Sequence, residues 1–241
     1  MLNALKRRFG GGYHKMVKQH QRLAARRDWP TGLEHYFSQA LPSLEALVYQ
    51  MDMVAFDFET SGVNASQDQI LSIGWVGITM DHIDVAASEE LFVRHPEFVT
   101  ADSAVINHIT PDVLSQGVTL DDAMDQLFNQ LAGKIALVHG ACIERAFVAQ
   151  YMRERFGVEH FPCVWIDTLH IEKQMTYAGK TAPGTSFQLN DVRRRYALPQ
   201  YSSHSATIDA LATAELFTAQ IKSLFKGHSP RVAKLAAPLF L

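Results

Sequence analysis

In the stretch MVAFDFETSG, Asp57 and Glu59 stand two apart in an otherwise apolar run. Residues at that spacing leave a strand from the same face. A segment patterned for burial therefore presents two like charges side by side, which is costly unless a cation joins them. Carboxylate oxygens at a strand end suit a hard divalent ion such as Mg²⁺ or Mn²⁺. A surface turn with two solvated acids is the competing reading. A second group lies in HSATIDALATAEL, where His204 precedes Asp209 by five residues at the start of a helical pattern. Ala206, Ala210, Ala212 and Ala214 give that helix small faces to press on a sheet, which would carry Asp209 towards Asp57 and Glu59. Read alone, the segment is better explained as a helix capped by Ser203 or Ser205, with His204 in a loop and Asp209 a solvated acid. A third group is LVHGACIERAF, a buried strand ending at His139-Gly140 with Glu144 on the next helix. There, Glu144 and Arg145 alone describe an ordinary exposed helical pair.

The elements that must position these groups follow from periodicity. Strands are expected over MVAFDFE, QILSIGWVGITM and VAASEELFVR, the last two joined as a hairpin. Helices are expected over ADSAVINHI and over LDDAMDQLFNQLA after a Thr119 cap. KIALVH and CVWI read as short strands and ACIERAFVAQYMRERF as a helix, with Asp167 capping the one that follows CVWI. SFQLNDVRRRYA and SATIDALATAELFTAQIKSLF complete the helices. Three antiparallel strands followed by strands alternating with helices give an α/β fold, a mixed sheet flanked by helices. The expected organisation is an N-terminal basic helical extension (1–47), a catalytic domain (48–227) and a tail (228–241).

Taken in order, the three groups resemble the DEDD superfamily of 3′–5′ exonucleases, in the branch with a catalytic histidine that includes epsilon-subunit-like and ribonuclease T-like enzymes. The first motif of that branch is matched by Asp57 to Gly62, and the third by His204, Ala206, Asp209 and Ala210. The tyrosine branch would place Tyr where this chain has Ser205. In the second motif the usual Asp is Glu144, one methylene longer, which displaces the carboxylate by about 1.5 Å and favours Mn²⁺ over the stricter Mg²⁺. The resemblance implies a ribonuclease H-like fold and two Mg²⁺ or Mn²⁺ ions. Asp57 would bridge them, Glu59 and Asp209 would complete one site, and Glu144 would support the other. His204 would be the general base. It implies release of nucleoside 5′-monophosphates from single-stranded 3′ ends, of DNA before RNA, in replication or repair. An oligoribonucleotide exonuclease and a nuclease-like binding module with an impaired site are the alternatives. Candidate substrate contacts are Phe58, Thr60 and, in INHITPDVL, Asn107, His108 and Ile109; Phe58, opposite in face to Asp57, fits the core better than a stacking platform.

Charge is uneven along the 241 residues. Residues 1–27 hold eight basic side chains and no acid, leaving 14 basic against 25 acidic side chains elsewhere, a balance of −11. A basic arm on an acidic body fits a polyanionic partner. It fits a solvated amphipathic helix too, since Tyr13, Met16, Val17, His20 and Leu23 recur at helical spacing. Gly10-Gly11-Gly12 reads as a break in it, which argues against a presequence. Arg193, Arg194 and Arg195 are either phosphate contacts or a solvated face. QIKSLF at 220–225 loosely resembles a sliding-clamp peptide and equally fits a core-facing helix, so a polymerase or clamp partner is a minor expectation. The longest apolar run, ILSIGWVGITM, is too short to span a membrane. Two cysteines without metal spacing suit the cytoplasm.

Overall fold

Alternation along the first strand decides the architecture. In β1 (Met53–Thr60) Val54, Phe56 and Phe58 pack into one buried cluster, and Met53 and Ala55 into another. Both faces of the sheet are therefore covered, and the polar residues that continue the second face, Asp57 and Glu59, are enclosed with it. The computed structural model describes residues 2–95, 109–176, 184–201 and 205–237.

The sheet has the order β3-β2-β1-β4-β5. β2 (Ile70–Ile78) runs antiparallel to β1, with Asp57 opposite Gly74 and Glu59 opposite Ser72. β3 (Ile83–Phe92) pairs antiparallel with β2 through the hairpin, with Gly74 opposite Glu90. β4 (Ile135–Val138) and β5 (Trp165–Asp167) add in parallel on the other side of β1. This is the mixed α/β sheet expected from the sequence. β5 begins two residues later than CVWI implies, and the hydrogen-bonded bridge from Ala236 to Ile166 closes its outer edge.

Four helices sit on the Phe56 side or at its rim. These are α1 (Leu2–Ala24), α2 (Thr31–Ser38), α4 (Leu120–Leu131) and α5 (Cys142–Phe156), with the short α3 (Pro111–Ser115) leading into α4. Thr119 caps α4 by accepting from the Asp122 amide, as its position predicts. α1 runs through Gly10-Gly11-Gly12 without interruption, correcting the expected break. Tertiary anchoring accounts for this: Met16, His20 and Leu23 are buried, and Tyr13 Oη donates to the Pro42 carbonyl at 3.0 Å. Met16 belongs to the cluster on one face of the sheet and Leu23 to the cluster on the other, so α1 reaches around its edge.

The opposite face is covered by α8 (Ala206–Phe225), with α6 (Thr168–Met175), α7 (Leu189–Arg195) and α9 (Val232–Leu235) beside it. Ala210, Ala214, Phe217 and Ile221 of α8 meet Ala55, Val76 and Leu137 of the sheet. Gln220 is fully buried, donating to the Thr168 carbonyl at 3.0 Å and to Glu172 Oε2 at 3.1 Å. Gln220 and Ile221 thus serve the core, while Lys222 and Ser223 of the same segment are exposed and Leu224 and Phe225 half-buried. The expected helix at ADSAVINHI lies outside the described residues except for Ile109. No helix among the described residues is long and apolar enough to cross a membrane.

Candidate active site

Asp57 and Glu59 share the α8-facing side of β1 because they continue the Met53–Ala55 alternation. Asp209 lies one turn into α8 and meets them there. Ligand oxygens of Asp57, Glu59 and Asp209 all lie within 4.8 Å of one another, the one such group of metal-ligating residues found among the described residues.

Close approach of α8 depends on Gly74, directly opposite Asp57 in the neighbouring strand. A Cβ there would stand 2.1 Å from the Thr207 amide nitrogen and 2.2 Å from the Ala206 carbonyl carbon, so only glycine admits the helix. Ser205 caps α8. A latch missed by the sequence reading, Glu90 on β3, then holds this end. It accepts from Ser205 Oγ at 2.6 Å, from the Ala206 amide at 3.2 Å and from Ser72 Oγ at 2.9 Å. The missed signal was an acid paired across the strands with Gly74, which places it on the face of Asp57.

Glu144 arrives from the first turn of α5, beyond the end of β4. Gly140 makes the turn at φ +93°, a conformation side chains disfavour. Asp167 braces that turn, accepting from the Gly140 amide at 2.8 Å and the Ala141 amide at 3.2 Å while capping α6 through Leu169 at 2.9 Å. The expected cap is therefore present, and the same carboxylate organises the second motif. His139 is a post in this arrangement: its Nε2 donates to the Phe187 carbonyl at 2.9 Å and Nδ1 lies 2.8 Å from Thr168 Oγ1.

Crowding of buried acids shifts their titration. Burial, then Glu144, Asp209, Glu59 and Glu90, push Asp57 well above the usual carboxylate range. Burial, with Asp209 and Glu90 beside it, raises Glu59 to about 7. Burial raises Glu144 to about 8, with Asp167 adding to the shift against its own backbone amide. Glu144 is 4% exposed and its Oε2 has no hydrogen-bond partner. Clustered carboxylates with an unsatisfied buried oxygen fit divalent cations with oxygen ligands, which would neutralise the repulsion.

The other expected site residues fall differently. Phe58 is buried against Phe56, 5.4 Å between ring centroids, and belongs to the core rather than to a substrate platform. Thr60 Oγ1 donates to the Gly62 carbonyl at 2.7 Å and shapes the turn. Ile109 packs with Leu71 and Leu114. His204, Asn107 and His108 lie outside the described residues. Arg193 is neither a phosphate contact nor a solvated residue. Fully buried, it donates to Ala212 O at 2.6 Å, Pro199 O at 2.7 Å and Glu215 Oε2 at 2.8 Å. Arg195 is likewise engaged, with Glu172 and the Ser186 carbonyl, and Arg194 pairs with Asp191.

A five-stranded mixed sheet with acids converging from β1, α5 and α8 defines a ribonuclease H-like nuclease. Residues 54–217 match the RNase_T family model, described as exonuclease, and the chain belongs to that family, within the DEDDh exonuclease superfamily. It is 27% identical over 194 residues to the DNA polymerase III subunit epsilon of Treponema pallidum, covering 75% of this chain and 85% of that protein. It is 24% identical over 201 residues to the PolC-type DNA polymerase III of Thermotoga petrophila, covering 81% of this chain and 14% of that polymerase's length. Among solved structures, the nuclease domain of 3′hExo, a DEDDh family member bound to rAMP, superposes with a TM-score of 0.59. That match is 13% identical and covers 77% of this chain and 98% of that one.

Proposed function

We propose that this chain is a metal-dependent 3′–5′ exonuclease releasing nucleoside 5′-monophosphates from single-stranded DNA. The observation that carries this reading is the convergence of Asp57, Glu59 and Asp209 within 4.8 Å, with the unsatisfied Glu144 carboxylate beside Asp57. Two divalent ions held by these four acids would acidify the attacking water and stabilise the attacking and leaving oxygens of an in-line displacement. His204, one residue before the cap of α8 in sequence, would accept the proton of that water on an imidazole nitrogen. The Glu90 latch and the Gly74 contact keep Asp209, and the start of α8, in register with Asp57. Asn107 and His108 are proposed to contact the terminal nucleotide.

DNA is favoured because the sequence relatives are DNA polymerase components, which equally supports association with a polymerase. The rAMP in the 3′hExo structure supports RNA as the second reading. Both cysteines are free, which fits the cytoplasm. Strands of DNA and RNA of equal length, labelled at the 5′ end, are incubated with Mg²⁺ or Mn²⁺ beside Asp57→Ala and Glu144→Asp. Stepwise shortening from the 3′ end, lost in Asp57→Ala and retained or raised in Glu144→Asp, is expected. Binding without shortening under either metal would replace the enzyme by a binding module.

A further inference from the structure

The −11 balance outside the first 27 residues sets a problem for any nucleic-acid substrate, because the body and the strand repel. The compensating charge sits on and just after α1, and the structure shows where that helix lies. It is docked, with Gln19 Nε2 donating to the His160 carbonyl and Arg26 Nη1 to the Phe156 carbonyl at 3.0 Å.

A groove follows the seam between α1 and α5. Its first part, about 210 Å³, is lined by Gln19 of α1, by Cys142 and Arg145 of α5, and by Glu159 and His160. Its second part, about 470 Å³, shares Gln19, Glu159 and His160 and continues past Arg22 and Arg26. Lys15 stands one turn before Gln19 on the same helical face. Arg145 on one side of the Gln19–His160 contact and Arg22 on the other thus line the groove beside Glu159, while Arg26 is already paired with Asp28 at 2.7 Å. The channel adjoins the site along α5: Glu144 acts on Asp57, and its neighbours Cys142 and Arg145 line the groove, with the Arg145 guanidinium 6.0 Å from the centre of the Trp165 ring.

We propose that this groove seats the sugar–phosphate backbone of the single strand whose 3′ end lies at the acids. The inference rests on the nuclease reading above. The strand leaves the acidic site around the start of α5 and is neutralised along α1, so affinity grows with length until the strand fills the groove.

The test uses the full chain with Lys15→Glu and Arg22→Glu combined. Both side chains are exposed, and the buried anchors Met16, His20 and Leu23 stay in place. KM for a 20-nucleotide strand and for a dinucleotide is measured with Mn²⁺ between 50 and 200 mM salt. The ratio of the two KM values should move at least about tenfold against the long strand at the lowest salt, and the salt slope for the long strand should fall by about 1.4, two contacts' worth. Lys15→Ala with Arg22→Ala should shift the ratio the same way by less. Ratio and slope equal to those of the unmutated chain, with both substrates still cleaved, would overturn the groove and leave the nuclease reading standing. Failure of the unmutated chain to cleave either substrate would bring down both.

Discussion

At the scale of single residues, the site is a store of electrostatic repulsion. With Glu59 raised to about 7 and Glu144 to about 8, the folded protein holds protons that an unfolded chain, with carboxyl pKa near 4.3, has already released. Stability must then fall as pH rises towards 8. Buried His20 and His139, both lowered by burial, act in the opposite sense only below their ordinary value of 6.5. Between pH 6.5 and 8.5 the carboxylates therefore decide. Thermal melts of the metal-free protein should show a falling midpoint across that window, and Mn²⁺ should raise the midpoint most at pH 8.5. A metal-free midpoint that climbs with pH would contradict the crowded acids. The spacing of Asp57 and Glu59 put two charges on one face of an apolar strand but left a solvated turn open; only their order with the other two motifs singled them out.

At the scale of elements, α8 carries Asp209 to the sheet and is held at its start by Gly74, Ser205 and Glu90. Removing the latch with Glu90→Ala deletes both the charge and the acceptor for Ser205 and Ala206, whereas Glu90→Gln deletes the charge and keeps an acceptor. Calorimetric titration should find Mn²⁺ bound about 10- to 100-fold more weakly by the alanine variant, the usual cost of losing a partner that orients a ligand. The glutamine variant should fall between it and the unmutated chain. Equal affinities for all three would remove Glu90 from the site. Most element boundaries followed from periodicity and caps, Thr119 and Asp167 among them. Glu90 escaped because its neighbours come from β2 and α8, 18 and 115 residues away, and no local pattern encodes that pairing. Arg193 escaped for the same reason: a run of three arginines reads as surface until Glu215 and the Ala212 carbonyl are brought to it.

At the scale of the whole molecule, the basic segment is a structural brace as well as a source of charge. Leu23 packs in the cluster that contains Tyr36 and Phe37, and the imidazole of His20 lies 5.8 and 5.3 Å from those rings. Leu23→Ala should therefore destabilise the entire chain by about 2 to 5 kcal/mol, read as one lowered denaturation midpoint. Loss confined to the helix, with the body unchanged, would make α1 an appendage. Sequence showed the stripe on α1, but composition had no means of telling a docked stripe from a solvated one. The aromatic residues that receive it are spread over α2, α4 and the 156–163 segment.

The two cysteines divide along this same seam. Cys163 is buried and its thiol is pushed up to about 12, while Cys142 is exposed at the groove, two residues before Glu144. A thiol-reactive fluorophore would therefore find one address on the native protein without any engineering. Placed there, it would watch substrate arrive in real time from the threshold of the site.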